Sequence, residues 1–165
     1  MMKVLAVLVV SIFYLISVAS PNIKLSRASS FSLNLEGSGP INISATNAQI
    51  DEHKIYLSGN VRLTSSDYVM DTDELSIVYN NGNVERIEAE GHLKIYILKE
   101  KLEISGEKLV YKQVDKQIFV IGNIVMDQEK FKITGDELVF NLENMKIAIK
   151  KNVHMKIKTV EQSMK

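Results

Sequence analysis

The chain has 165 residues, carries 20 Lys+Arg against 20 Asp+Glu, and contains no cysteine. That length suits one domain. The balance of charge offers nothing to draw in nucleic acid, and the missing thiols exclude disulfides, thiolate metal sites and a cysteine nucleophile.

The first residues differ from the rest. Lys3 supplies a minimal basic start, and Val4 to Ala19, VLAVLVVSIFYLISVA, carries no charge. Ser17-Val18-Ala19 is a small-x-small cleavage pattern, so residues 1–19 read as a secretory signal peptide. The rival reading is an uncleaved anchor slightly short of the usual span of about 17–25 residues. Cleavage after Ala19 would remove one lysine and no acid, leaving the mature chain close to neutral. Residues 20–38, rich in Ser and Asn, read as a flexible lead-in.

From Pro40 onward the pattern is period two. Ile41, Ile43 and Ala45 alternate with polar residues, and Ile55, Leu57, Gly59, Val61 and Leu63 share one parity. Tyr68 with Met70 and Leu75 with Ile77 and Tyr79 follow, then Asn80-Asn81-Gly82-Asn83, a tight hairpin signal. Ile87, Ala89, Gly91, Leu93, Ile95 and Ile97 share parity again. Leu102 with Ile104, and Leu109 with Tyr111, read as two short strands. Ile118, Val120, Gly122, Ile124 and Met126 come next. Phe131 with Ile133, Leu138 with Phe140, and a closing run through Ile147, Ile149, Val153, Met155 and Ile157 complete the chain. Hardly any stretch past residue 40 holds a helical period, so the chain is all-β, each strand buried on one face.

One strand recurs: IYLSGNVRL from Ile55, IEAEGHLKI from Ile87 and IFVIGNIVM from Ile118, with a weaker echo, AIKKNVHMK, from Ala148. Gly59, Gly91 and Gly122 lie 32 and 31 residues apart, and Lys151 stands 29 further on. A second landmark accompanies them: DELSIVY from Asp73, EKLVYKQ from Glu107 and GDELVFN from Gly135. Such a unit cannot bury its apolar face alone and must stack on its copies. A glycine inside each strand marks either a bend that folds the sheet into a V or roll, or relief of crowding in an ordinary sandwich.

The ordered set GPINISATNAQIDEHKIYLSGNVRLTSSDYVMDTDELSIVY (Gly39 to Tyr79) and ISGEKLVYKQVDKQIFVIGNIVMDQEKFKITGDELVFNLENMKIAI (Ile104 to Ile149) resembles the LptA family of OstA-like periplasmic lipopolysaccharide-transport proteins. The resemblance implies a β-jellyroll over residues 39–158, made of two facing antiparallel sheets, open at both ends and built from repeated hairpin units, with a polar tail at 159–165. It implies lipopolysaccharide as ligand, its acyl chains shielded inside the roll. It also implies LptC-like inner-membrane and LptD-like outer-membrane partners, and head-to-tail stacking of copies in the periplasm.

Parity names the candidate lining: Ile41, Ile43, Ile55, Leu57, Val61, Leu63, Met70, Leu75, Ile77, Leu93, Ile95, Val120, Ile124, Phe131, Leu138 and Phe140. The resemblance places lipid contacts at Ile41 and at Ile95 or Tyr96. Counting from Gly91 favours Tyr96, alternation favours Ile95, and both stay candidates. Each of these residues also has a plainer reading as core packing.

No catalytic or cofactor pattern stands out. His53, His92 and His154 lack metal-ligand spacing, and Asp71-Thr72-Asp73-Glu74 lacks the glycine and distal Glu of a calcium loop. No Gly-x-Ser-x-Gly or phosphate-cradling loop occurs. The sequence therefore predicts a non-enzymatic, cofactor-free lipid carrier. The alternatives are a membrane-anchored LptC-like subunit and a secreted structural β-repeat protein with a dry interior.

Overall fold

A computed structural model describes residues 24–25, 30–33, 41–80, 83–144 and 146–158. The expected signal peptide and the tail at 159–165 lie outside these residues, as do Asn81 and Gly82 of the hairpin turn. Twelve strands form one antiparallel sheet: β1 Lys24–Leu25, β2 Ser30–Leu33, β3 Ile41–Ser44, β4 Asn47–Ile50, β5 Lys54–Thr64, β6 Tyr68–Asn80, β7 Asn83–Ile97, β8 Leu102–Lys112, β9 Gln117–Gln128, β10 Phe131–Asn141, β11 Lys146–Lys150 and β12 His154–Ile157. Neighbours from β5 to β10 pair in chain order, as short polar turns require. Within the segment expected to be a lead-in, β1 pairs with β2, and β2 with β3.

The long strands share a bend near their middles. The pairing register shifts between Ser58 and Val61 in β5, Asp71 and Glu74 in β6, Glu90 and Leu93 in β7, Ser105 and Lys108 in β8, and Gly135 and Glu137 in β10. Aligned bulges crease the whole sheet along one line. One half-sheet is edged by β4 and β11, the other by β1 and β12. Tyr68–Met70 and Leu75–Tyr79 therefore belong to one strand, and so do Leu102–Ile104 and Leu109–Tyr111, which alternation alone divides into two. The bulge breaks the parity without ending the pairing.

The crease is written in the two repeated landmarks. Gly59, Gly91 and Gly122 have φ of 80°, 79° and 85°, and the residue after each, Asn60, His92 or Asn123, is also left-handed. Lys151 and Asn152 take the same conformation at 59° and 49°. Across the crease stands the second landmark. Asp73 covers Gly91 and Glu107 covers Gly122, so that a Cβ on either glycine would meet the acid's own Cβ at 2.9 and 2.8 Å. At Gly59 the same place is taken by Thr46, whose amide and hydroxyl donate to the Gly59 carbonyl at 2.8 and 2.9 Å. The residue after the glycine then pairs with the acid. His92 Nδ1 lies 2.7 Å from Asp73 Oδ2, and Asn123 Nδ2 donates to Glu107 Oε1 at 2.6 Å. Asn152 Nδ2 donates to Asp136 Oδ2 at 2.6 Å at the fourth corner. Of the two sequence readings of the glycines, the structure has the bend.

Candidate functional site

Creasing the sheet turns its apolar face inward on both halves. Fifteen of the predicted lining residues are buried there: Ile41, Ile43, Ile55, Leu57, Val61, Leu63, Met70, Leu75, Ile77, Leu93, Ile95, Val120, Ile124, Leu138 and Phe140. Phe131 is partly buried against them. The open register at Ile95/Tyr96 resolves in favour of alternation. Ile95 points inward with Ile87, Ala89, Leu93 and Ile97, whose shared parity continues through the bulge, and Tyr96 lies on the outer face at 40% exposure. Tyr68, Ile87, Ile97, Leu102, Ile104, Leu109, Tyr111, Ile118 and Met126 share the interior and were not among the named lining. Their parity within each half-strand was the available signal.

The two ends differ. Near β3 the interior is covered, with Ile41 and Ile43 at 1% and 2% exposure. At β12 it is open. Met155 and Ile157 pair with Ile133 and Phe131, so they lie on the inward face, yet they are 62% and 73% exposed. Val153 is exposed too, and Ile147 and Ile149 on β11 are only partly buried. The result is an apolar lip on an edge strand, a feature that soluble monomers normally blunt.

Apart from tyrosine hydroxyls, the polar groups among the described residues lie at the crease and on the outer face. Thr72 is the one buried polar residue among those described, and its hydroxyl reaches the Glu90 and Gly91 carbonyls at 2.9 and 3.1 Å. Burial pushes the Tyr79 phenol up to about 12 and also raises Tyr111. Around Glu88, burial pushes the carboxyl up, but the Arg86 guanidinium and Lys108 ammonium outweigh it and hold it below the ordinary value. Beside the crease a cleft of about 480 Å³ is lined by polar groups including Asn60, Arg62, Asp71 and His92. Arg62 Nη1 and Asp71 Oδ1 are paired there at 3.1 Å. Among the described residues, no group of three or more His, Asp or Glu could hold a metal, and no helix is long and apolar enough to cross a membrane.

A creased antiparallel sheet closed on an apolar interior, with bare strands at its edges, defines a β-jellyroll. The LptH structure, described as the LptA homologous periplasmic component of the conserved lipopolysaccharide transport device from Pseudomonas aeruginosa, has the same fold. Its TM-score is 0.62 at 15% identity, covering 73% of this chain and 96% of that one. The family described as LptA/(LptD N-terminal domain) LPS transport protein matches residues 42–146. The chain belongs to that family. No curated protein sequence matches it.

Proposed function

We propose that this protein is a non-catalytic periplasmic carrier of lipopolysaccharide. It holds acyl chains between the two half-sheets and passes them along copies of itself, stacked head to tail, from an LptC-like subunit to an LptD-like one. Membership of the lipopolysaccharide-transport family supports the ligand class. The observation that carries the reading is the interior itself, apolar on both halves and ending in the exposed residues Met155 and Ile157. Each methylene moved from water into such a lining gains about 0.8 kcal/mol, with no need for a specific polar contact. The half-sheets are joined along the crease, and away from it they meet only through side chains. A chain can therefore enter by parting them from the open end. The bare edges of β4 and β11 leave backbone groups for strand addition by a neighbouring copy.

Native mass spectrometry of the purified protein with and without lipopolysaccharide tests this. Discrete lipid adducts are expected, with a ladder of oligomers at higher protein concentration. Bare monomer at every lipid concentration would instead favour a structural β-repeat protein with a dry core.

A further inference from the structure

The interior contains one polar atom with nothing to bond. Tyr68 begins β6 on the inward face, opposite Ile97 and in phase with Met70, and is 1% exposed. Its hydroxyl is the one buried side-chain polar atom among the described residues without a hydrogen-bond partner. Ser65, in the preceding turn, is committed to backbone. Its hydroxyl accepts from the Asp67 and Tyr68 amides, each at 3.2 Å, and donates to the Tyr68 carbonyl at 3.4 Å. Burial pushes the Tyr68 phenol well above its ordinary value, outweighing the neighbouring Ser65 hydroxyl, which pulls it down without forming a hydrogen bond to it, so it remains a protonated donor. The contrast with Thr72 is direct, since that buried hydroxyl is fully engaged. A buried donor left unpaired is costly, and phenylalanine would fill the same apolar space without that cost.

We infer that Tyr68 is a ligand-binding residue whose hydroxyl donates to the carbonyl oxygen at the root of an ester- or amide-linked acyl chain. The inference rests on the carrier reading above. The occupant must be apolar to lie beside Met70, Ile97 and Leu102, all buried, and it must bring one acceptor. A bare hydrocarbon brings none, whereas an acyl chain brings one at its head end. Tyr68 suits that end, because it sits where β6 leaves the β5–β6 turn, on the side of its half-sheet away from the crease. The carbonyl would bond at this rim while the tail runs inward over the lining.

Tyr68→Phe tests the assignment against two probes, a synthetic monosaccharide lipid A with acyl linkages and its counterpart with alkyl linkages. The wild-type protein is expected to bind the acyl form about fivefold more tightly, the size of one net hydrogen bond. The Phe variant should bind both forms equally, at the wild-type affinity for the alkyl form. It should also melt no lower than the wild type when lipid-free, since it removes only an unpaired hydroxyl. A lower melting temperature would mean that the phenol is already bonded within the protein and would overturn the assignment. So would an acyl preference that survives in Tyr68→Phe, with the carrier reading left standing. Failure of the wild type to bind either probe would overturn the carrier reading and this site with it.

Discussion

Asp73 and His92 face each other across the crease, Nδ1 to Oδ2 at 2.7 Å, with Gly91 beneath the Asp73 side chain. The acid and the imidazole come from different repeat landmarks, one on β6 and one on β7. Their meeting, repeated at Gly122 with Glu107 and Asn123, explains why glycine and acid recur together at these two corners. The glycine turns the strand, and the acid closes over the space that a side chain would fill.

Gly91→Ala should therefore lower stability through two effects. A φ of +79° costs an L-residue about 1–2 kcal/mol, and the new Cβ would also crowd Asp73. Denaturant unfolding should show a loss of about 2 kcal/mol or more with an unchanged slope. Asp73→Ala removes the carboxyl part of the second effect, while its Cβ would still lie 2.9 Å away, so in combination with Gly91→Ala it should recover part of the loss. Equal losses in the single and double variants would mean that the acid does not crowd the corner.

The register at the middle of the sheet gives a second contrast. Ile95→Ala empties a buried site and is expected to cost about 2–4 kcal/mol. Tyr96→Ala, on the outer face, should cost under about 1 kcal/mol. A photoreactive residue at 95 should capture lipid in the loaded protein, and one at 96 should not. Capture at 96 alone would place the lipid outside the roll.

These contrasts show what the sequence carried and what it did not. Alternation within half-strands was enough to identify the all-β class, the inward set and the recurrence of the glycines. It failed where the bulges add a residue. Leu102–Ile104 and Leu109–Tyr111 then read as separate strands although both lie in β8; at Ile95 alternation was right, and only counting from Gly91 kept Tyr96 a candidate. The pairing of Asp73 with His92, or Glu107 with Asn123, spans 19 and 16 residues, and it becomes visible only once the antiparallel register is known. The open lip at Met155 and Ile157 was hidden for another reason. Parity says which face a residue takes, while exposure depends on whether another strand lies beyond it.

Acid should weaken the fold in a defined window. Although burial pushes the Glu88 carboxyl up, Arg86 and Lys108 bring its folded-state pKa below the ordinary 4.5. A depressed carboxylate pKa contributes stability that is fully present above the unfolded value and is lost as pH falls through the folded one. Stability should accordingly be flat in this contribution from neutral pH down to about 5 and decline below 4.5. Glu88→Gln should make the acid limb shallower while costing little at pH 7, because the group is partly exposed and screened. An acid limb of the same steepness in the variant would remove Glu88 from the account.

The lip separates binding from folding. Met155→Asp with Ile157→Asp alters two residues that are already mostly in water, so the unfolding free energy should stay within about 0.5 kcal/mol of the wild type. The same pair lies on the inward face at the end of β12, where an acyl chain would first leave solvent. Two carboxylates there would have to be desolvated by any entering chain, and the association rate for lipopolysaccharide should fall at least about tenfold. A control at the covered end, Ile41→Asp, should instead unfold the protein, since that side chain is 1% exposed and its carboxylate would be buried without a partner. Stopped-flow binding and denaturant melts on the same preparations distinguish the outcomes. Unchanged association by a folded Met155→Asp/Ile157→Asp protein would show that lipid enters elsewhere, between the rims of the two half-sheets instead of over β12.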